Sequence, residues 1–300
     1  MAVPLKVSFI IITYHRGPLL LQCLQSIYEQ TNLPYPCEVI VIDNGGDVNV
    51  PSPENPNFHL RVEKPEANLG VAGGRNLGMR YAQGEYWIIL DDDATWHDNL
   101  DAARLVKNID DDPTCGAVAI QILDPDGRQV ETLLTHPDKA SVRDAAQTVE
   151  VPYFYGGGHI LRAKAVQQVG DYPERFFYAM EEIDLALRLI DAGYRILYDP
   201  AVAAYHHTNQ TGRTVYGEAY WKRNALNKSR VGWRLLPHPY PITIMLIWSA
   251  AVLFKTRKPS VVWEVWRSLW HERRLLASER KPIGSKTVQY LKQIGARLLY

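Results

Sequence analysis

Short apolar segments with almost no polar interruption recur along the first 200 residues, and stretches of helical periodicity separate them. Because such segments do not alternate, they predict strands that are covered on both faces, as in a parallel sheet flanked by helices. The predicted strands are Val7–Ile12, Glu38–Ile42, His59–Val62, Tyr86–Leu90, Ala117–Leu123 and Arg195–Tyr198. The predicted helices begin at Pro18, at Gly70 and at Asn99. The pattern predicts an α/β fold.

The composition is typical of a globular protein, with 46% hydrophobic and 22% charged residues. It excludes disordered, collagen-like and coiled-coil proteins. The three cysteines form no Cys-x-x-Cys pair, which excludes a disulfide scaffold and a thiolate zinc site and fits a reducing compartment. The first apolar run is too short for the core of a signal peptide, so no export is expected.

A net charge of zero conceals two regions of opposite sign. Residues 1–221 carry a net charge of −13, and residues 222–300 carry a net charge of +13. Six of the eight tryptophans lie at or beyond position 221. An acidic first part and a basic, tryptophan-rich tail indicate two regions with different partners.

Polar and acidic side chains follow three of the predicted strands. Thr13-Tyr14-His15-Arg16 follows the first, Asp43-Asn44 the second and Asp91-Asp92-Asp93 the fourth. In an open α/β sheet, ligands bind at the carboxyl ends of the strands. Three adjacent carboxylates repel one another, so Mg²⁺ or Mn²⁺ is expected among them. The alternative is that Asp93 only caps the next helix.

A glycine-rich segment, residues 68–76, opens the second predicted helix. Its glycines allow the backbone to approach a ligand closely, and the planar guanidinium of Arg75 suits a phosphate. No Gly-Lys-Ser/Thr follows, so the segment is not a Walker loop.

A further acidic pair is predicted at the start of a helix. Leu185 and Leu189 are one helical turn apart, which puts Glu181 and Glu182 at the amino end, where the helix dipole favours ionised carboxylates. A carboxylate that faces a crevice can act as a general base on a hydroxyl. The alternative is that both glutamates only complement the dipole. The pair His206-His207 is either structural or a source of a third metal ligand.

Taken together, these segments resemble the family 2 glycosyltransferases, which are inverting, nucleotide-sugar-dependent enzymes with the GT-A fold. The matching motifs occur in order over residues 5–230 and are SFIIITYHR, VIVIDNGG, NLGVAGGRNLG, YWIILDDDA, YGGGHILR, VGDYPERFFYAMEEIDLALRLIDAGYRILYDPAVAAYHH and YWKRNAL. Within the family, the arrangement is most similar to the rhamnosyltransferase-type members that build cell-envelope polysaccharide.

The resemblance implies a mostly parallel central sheet flanked by helices, with a helical C-terminal extension. It implies a catalytic domain over residues 1–230, with a nucleotide-sugar half to about residue 115 and an acceptor half from residue 116. Residues 231–300 would form the basic, tryptophan-rich helical region.

The resemblance also implies a role for each matching residue. The nucleotide sugar would be bound by Thr13, Tyr14, Arg16, Asp43, Asn44, Asn68, Gly70, Arg75 and Asp92. The divalent cation would be held by Asp91, Asp93 and His206, with His207 as the second choice. Glu182 occupies the position of the catalytic base, where the family usually has aspartate. Glu181 is the alternative base, and Asp184 matches a position that orients the acceptor.

The implied reaction is transfer of a sugar from a UDP-, dTDP- or GDP-sugar to a saccharide or lipid-linked saccharide. A sugar-nucleotide pyrophosphorylase is an alternative, but it would carry a glycine-rich loop directly after the first strand, where this chain has Thr-Tyr-His-Arg. A non-catalytic binding protein of the same fold is another, but it would have lost the acidic cluster or the base.

The tail contains a charge-free stretch, residues 241–254, that is shorter than the ~20 residues needed to span a bilayer. Tryptophan and basic residues interleave after it, which favours contact with an anionic membrane surface. The alternative is a helical subdomain that covers one side of the core. Nucleic-acid binding is not expected, since the positive charge follows an apolar helix pattern. The expected location is cytoplasmic and peripheral on the inner face of the cell membrane.

Overall fold

A computed structural model of the chain describes residues 5–128, 142, 144–207 and 217–299. Its strands are β1 (Val7–Thr13), β2 (Cys37–Asp43), β3 (Phe58–Glu63), β4 (Tyr86–Asp91), β5 (Ala94–Trp96), β6 (Cys115–Leu123), β7 (Val149–Glu150), β8 (Gly158–Arg162) and β9 (Arg195–His206). Its helices are α1 (Gly17–Tyr28), α2 (Gly70–Tyr81), α3 (Asp101–Asp111), α4 (Ala163–Val169), α5 (Glu181–Asp191), α6 (Glu218–Leu235), α7 (Tyr240–Thr256), α8 (Pro259–Ser278) and α9 (Ser285–Gln293).

The strands form one sheet in the order β3-β2-β1-β4-β8-β6-β9-β5, and β7 pairs with β9. The first four strands of this order run parallel, as predicted. However, β8 runs antiparallel to both of its neighbours, β4 and β6, and β5 and β7 run antiparallel to β9. The α/β prediction is therefore confirmed, but the sheet is mixed rather than mostly parallel.

Two apolar cores cover the two faces of this sheet. Alternate residues of β1 pack into one core or the other, because successive side chains of a strand point to opposite faces. Phe9 and Ile11 pack in the core that contains Leu24 of α1, whereas Ile10 packs in the core that contains Leu185 of α5. Burial on both faces explains why the central strands are continuously apolar.

The strand registers bring the polar strand ends together. Thr13 pairs with Asp43 across β1 and β2, and Ile12 pairs with Asp91 across β1 and β4. On the other side, Ala94 of β5 pairs with His206 at the end of β9. Residues that are far apart in sequence therefore meet at one edge of the sheet.

The C-terminal region is helical, as predicted, and it packs against the rest of the chain. Val231 and Leu235 of α6 are buried in the core on the α5 side of the sheet. Helices α6, α7 and α8 share a separate small apolar cluster that includes Ala225, Val252 and Val265. Among the helices that the structure describes, none has both the length and the apolarity of a membrane-spanning segment.

Candidate active site

A cleft of about 290 Å³ opens where β1, β2 and β4 end. Ten of the residues predicted to bind ligands line it: Thr13, Tyr14, Arg16, Asn44, Asn68, Gly70, Asp91, Asp92, Asp93 and His206. The structure thus gathers most of the predicted nucleotide-sugar and metal residues around one space. The predicted residues outside its wall are Asp43, Arg75, Glu181, Glu182 and Asp184.

Asp91, Asp93 and His206 form a compact group of potential metal ligands. One donor atom from each lies within 4.8 Å of the others. Asp93 and His206 are buried, and His206 Nε2 lies 2.8 Å from Asp93 Oδ1. Two carboxylates and an imidazole make a donor set that fits Mn²⁺ or Mg²⁺.

The structure decides two alternatives that the sequence left open. His207 is directed elsewhere, because its Nε2 lies 2.8 Å from Thr95 Oγ1, so His206 is the imidazole of the cluster. Asp93 caps no helix, since the strand β5 follows it directly.

Asp92 is buried in the wall of the cleft, next to Asp93. It accepts a hydrogen bond from Thr13 Oγ1 at 2.6 Å and one from Arg16 Nη1 at 3.0 Å. Burial raises the pKa of Asp92 to about 6, although Thr13 and Arg16 act in the opposite direction. Arg16 also donates to Asp93 Oδ2 at 2.8 Å. One guanidinium therefore holds two of the adjacent carboxylates at fixed positions.

Arg75 lies behind the cleft and connects it to the start of α5. Its side chain is almost fully buried and donates to Glu181 Oε1 at 2.9 Å and to the carbonyl of Gly156 at 2.8 Å. Its Nη2 lies 3.4 Å from Asp91 Oδ1. The expected contact of Arg75 with a diphosphate is therefore not supported, because these partners hold the guanidinium inside the protein.

Asp43 and Asp184 have hydrogen-bond or ion-pair partners inside the protein. Asp43 is buried and accepts hydrogen bonds from the backbone N–H groups of Gly45, Gly46 and Val48, so it shapes the loop after β2. Asp184 has no exposed surface and forms ion pairs with Arg188 and Arg234 inside the protein. The sequence pattern did not indicate these hydrogen bonds and ion pairs.

Glu181 and Glu182 occupy the first turn of α5, as predicted. Glu181 is buried against Arg75, whereas Glu182 is half-buried. Burial and the neighbouring Glu181 raise the pKa of Glu182, and burial also raises the pKa of Glu181. Desolvation thus outweighs the helix dipole that was expected to favour ionisation. Of the two, Glu181 is the carboxyl that forms the ion pair with Arg75.

The loop that leads into α5 is strained. Phe177, Ala179 and Met180 have positive φ angles of 61°, 73° and 72°, a conformation that costs non-glycine residues about 1 kcal/mol or more each. The carbonyl of Phe177 accepts a hydrogen bond from Val71 N–H at 2.6 Å. A Cβ atom on Gly70 would lie 2.5 Å from that carbonyl, so the contact requires glycine. The loop therefore links the glycine-rich start of α2 to the start of α5.

Asn227 of α6 holds this loop in place, and sequence reasoning missed it. Its Nδ2 lies within hydrogen-bonding distance of three loop carbonyls, those of Phe176 at 3.0 Å, Tyr178 at 3.0 Å and Ala179 at 2.9 Å. Its Oδ1 accepts a hydrogen bond from Arg230 at 2.7 Å. Asn227 is fully buried, so it acts through the loop rather than on a ligand.

Replacing Asn227 with alanine is expected to lower the free energy of unfolding by about 2 kcal/mol, because buried carbonyls lose their donor. It is also expected to lower kcat more than it raises KM, since the loop precedes Glu182. Thermal unfolding and steady-state kinetics measure both effects. Ser229→Ala is the matched control, because Ser229 is buried on the same helix and its hydroxyl donates within that helix, to the carbonyl of Ala225. Equal losses of kcat in the two variants would argue against a positioning role for Asn227.

Other unpredicted residues line the cleft: Ile12, Val71, Tyr155, Phe177, Tyr178 and Arg223. Two of them could have been found from the sequence, because Tyr178 lies just before the acidic pair and Arg223 lies within the matching segment YWKRNAL. Arg223 and Tyr178 also contact each other, with the guanidinium carbon 5.7 Å from the ring centre. The lining of the cleft therefore includes aromatic and cationic side chains as well as carboxylates.

Comparison with known proteins identifies the family. The family model described as Glycosyl transferase family 2 matches residues 8–170, which is more than half of the chain. The chain belongs to this family. The match begins in β1 and extends past α4, so it includes Asp91 and Asp93. This result confirms the resemblance on which the predicted site rests, and the protein is a glycosyltransferase.

Two curated relatives of this glycosyltransferase have rhamnosyltransferase names. N-acetylglucosaminyl-diphospho-decaprenol L-rhamnosyltransferase of Mycobacterium tuberculosis is 30% identical over 238 residues, covering 67% of this chain and 76% of the relative. The O-antigen chain rhamnosyltransferase RfbN of Salmonella typhimurium is 27% identical over 228 residues, covering 70% of this chain and 68% of the relative.

Solved glycosyltransferases share the fold of this chain. The mannosyltransferase PcManGT of Pyrobaculum calidifontis, solved with GDP-Man and Mn²⁺, superposes with a TM-score of 0.56 at 22% identity. The match covers 97% of this chain and 81% of that protein. It confirms the predicted GT-A fold.

Proposed function

We propose that this glycosyltransferase moves a sugar from a nucleoside-diphosphate sugar to an acceptor hydroxyl, with inversion at the anomeric carbon and with a divalent cation. The observation that carries the proposal is the cleft at the strand ends, where Asp91, Asp93 and His206 come within ligand distance of one another. Asp91, Asp93 and His206 would hold Mg²⁺ or Mn²⁺, which when bound offsets the charge that develops on the diphosphate.

The cleft wall supplies groups suited to a nucleoside diphosphate. Tyr14 is 42% exposed and offers its ring to a base, while Thr13, Asn44, Asn68 and Gly70 form the adjacent wall. Arg223 lies on the cleft surface and suits a phosphate oxygen. Arg16 forms ion pairs with Asp92 and Asp93. It would therefore contribute to nucleotide binding indirectly, because it holds these two carboxylates in position.

Glu182 is proposed as the base. It takes the proton of the acceptor hydroxyl as the acceptor oxygen forms a bond to the anomeric carbon. The bond between that carbon and the diphosphate oxygen breaks, and its electron pair leaves with the diphosphate. A raised pKa suits a base that must accept a proton near neutral pH. Arg75 holds Glu181 and so leaves Glu182 as the carboxyl for this step.

The acceptor is proposed to be a saccharide or a lipid-linked saccharide in the synthesis of cell-envelope polysaccharide or glycolipid. The names of the two rhamnosyltransferase relatives support this class. We place the enzyme at the inner face of the cell membrane, with residues 1–230 as the catalytic domain and with membrane contact through residues 241–300. The donor is proposed to be a UDP-, dTDP- or GDP-sugar.

Product analysis with labelled nucleotide sugars tests the proposal. A glycosylated acceptor and a free nucleoside diphosphate are expected. Exchange of label with pyrophosphate would instead indicate a pyrophosphorylase, and the absence of any product would indicate a binding protein. Thermal unfolding with a panel of nucleoside diphosphates and Mn²⁺ identifies the nucleotide of the donor beforehand. A ligand at 100 times its Kd stabilises the native state by about 2.7 kcal/mol and so raises the unfolding temperature.

A further inference from the structure

The outer surface of α7 is apolar where a helix at a protein surface is normally polar. Residues 241–254 contain no charge, and only Pro241, Ile244 and Val252 of the helix are buried. Ile242, Leu246 and Leu253 recur at helical spacing on the exposed side. Leu246 is 53% exposed and Phe254 is 63% exposed. A continuous apolar surface of this kind indicates an interaction site at which the helix contacts other apolar groups.

The outer face of α8 carries tryptophan and arginine in turn. Trp263, Arg267, Trp270 and Arg274 follow one another at intervals of three or four residues and therefore lie on one side of the helix. Trp263 is 67% exposed and Trp270 is 65% exposed. Tryptophan with arginine on one helix face is the composition found at the boundary between lipid and water.

Each acidic residue of this region is paired with a cation of α6. Glu264 pairs with Lys222, Glu272 with Arg230, and Glu279 with Arg234. These three are the acidic residues of positions 222–299. The outer cations Lys255, Arg257, Arg267 and Arg274 are all exposed. The outer surface is therefore strongly positive as well as apolar.

An apolar groove of about 460 Å³ lies between α6, α7 and α8. Most of its lining is hydrophobic, with Trp233, Met245, Trp266, Leu269, Trp270 and Leu276 among the lining residues. Arg273 lies at the groove and contacts the ring of Trp270, with 4.3 Å between the guanidinium carbon and the ring centre. Because Trp266 and Trp270 also belong to the exposed side of α8, the groove joins the outer face.

We propose that the outer faces of α7 and α8 form a docking surface for an anionic phospholipid bilayer, and that the groove receives an acyl chain of that bilayer. This proposal builds on the membrane location given under the proposed function and names the surface, the lipid charge and the chain-binding groove. Anionic headgroups complement the outer cations, and the bilayer interface accommodates the tryptophans. A second copy of the chain is disfavoured, because two strongly positive faces would repel each other.

Vesicle flotation with the full chain tests the proposal, without any nucleotide sugar or acceptor. The protein is expected to float with vesicles of phosphatidylcholine and phosphatidylglycerol, to float poorly with phosphatidylcholine alone, and to lose binding as salt is raised. Lipids brominated on their acyl chains are expected to quench its tryptophan fluorescence. Equal binding to both vesicle types, binding without quenching, or no binding at all would each overturn the proposal.

Two double variants separate the charged and the apolar contributions. Arg267→Glu with Arg274→Glu is expected to weaken binding to anionic vesicles by about 25-fold or more. Leu246→Ser with Phe254→Ser is expected to weaken it by more than about tenfold. Leu21→Ser is the matched control, because Leu21 is 41% exposed but lies on α1. Unchanged binding in both double variants, or a concentration-dependent dimer that they abolish, would contradict the assigned surface.

The flotation result is independent of catalysis. Sugar transfer to a water-soluble acceptor is expected to be unchanged in both double variants. If the chain floats but transfers no sugar, the proposed function fails and the docking surface stands. If it transfers sugar but does not float with anionic vesicles, the docking surface and the membrane location fail, and the proposed sugar transfer stands.

Discussion

Asp93→Ala is expected to lower kcat/KM for sugar transfer by on the order of 10³-fold or more. Asp93 is buried and lies 2.8 Å from both His206 Nε2 and Arg16 Nη1, so its removal takes one donor from the proposed cation site and leaves both neighbours without their shared partner. A bound divalent cation stabilises developing negative charge by several kcal/mol, and each 1.36 kcal/mol changes a rate tenfold. Loss of most of that stabilisation accounts for the expected effect.

Direct titration with Mn²⁺ distinguishes loss of the cation from a general defect. Asp93→Ala is expected to bind Mn²⁺ much more weakly than the natural protein. The adjacent histidines give a matched pair, since His206→Ala should impair both Mn²⁺ binding and transfer, whereas His207 bonds to Thr95 outside the cluster and should be replaceable. Normal transfer and normal Mn²⁺ affinity in Asp93→Ala would show that the cation does not bind at this site.

The strand pattern was sufficient to place the carboxylates of this cluster at one edge of the sheet, because strands and their ends are local features, but it left the choice between His206 and His207 open. The apolar runs before Thr13 and Asp91 are buried on both faces of the sheet, so each run predicts a strand and each following polar residue marks its end. The strand β8 was missed, since Gly158 and His159 interrupt its apolar pattern. The antiparallel direction of β8 made the sheet mixed.

The individual roles of buried acids were less predictable, because they depend on partners far away in sequence. Arg75 meets Glu181 across 106 positions, and Asp184 meets Arg234 across 50. A motif gives the residue type, but only the folded chain shows whether the carboxylate is already in an ion pair with a buried cation. Asn227 was missed for the same reason, since its three carbonyl partners belong to a loop 48 or more positions earlier.

Glu182→Gln is expected to lower kcat by about 10²- to 10⁴-fold, the usual contribution of a general base. Glutamine keeps the size of the side chain but cannot accept the proton of the acceptor hydroxyl. The raised pKa of Glu182 shows that its surroundings favour the neutral form, which glutamine imitates, so the thermal stability of this variant should be at least that of the natural protein. Single-turnover kinetics and thermal unfolding measure the two effects.

Glu181→Gln is the neighbouring control and should show the opposite pattern. Glu181 is the partner of the buried Arg75, and removing one member of a buried ion pair costs about 3 kcal/mol or more. We therefore expect a marked loss of thermal stability in Glu181→Gln. A catalytic defect in Glu181→Gln without loss of stability, together with normal turnover in Glu182→Gln, would assign the base to Glu181.

The pH dependence follows from the same carboxyl. A base works only when deprotonated, and burial with the adjacent Glu181 raises the pKa of Glu182. The rise of kcat/KM with pH should therefore lie well above the ordinary glutamate pKa of ~4.3. Stability should change in the opposite sense. The folded state retains a proton that the unfolded state releases, so the free energy of unfolding falls as pH rises from ~4.3 through the raised pKa. Glu182→Gln should reduce both pH dependences, and the part of the stability profile that remains belongs to Glu181 and Asp92, whose pKa values burial also raises. A natural protein whose kcat/KM does not vary between acidic and neutral pH would exclude Glu182 as the base.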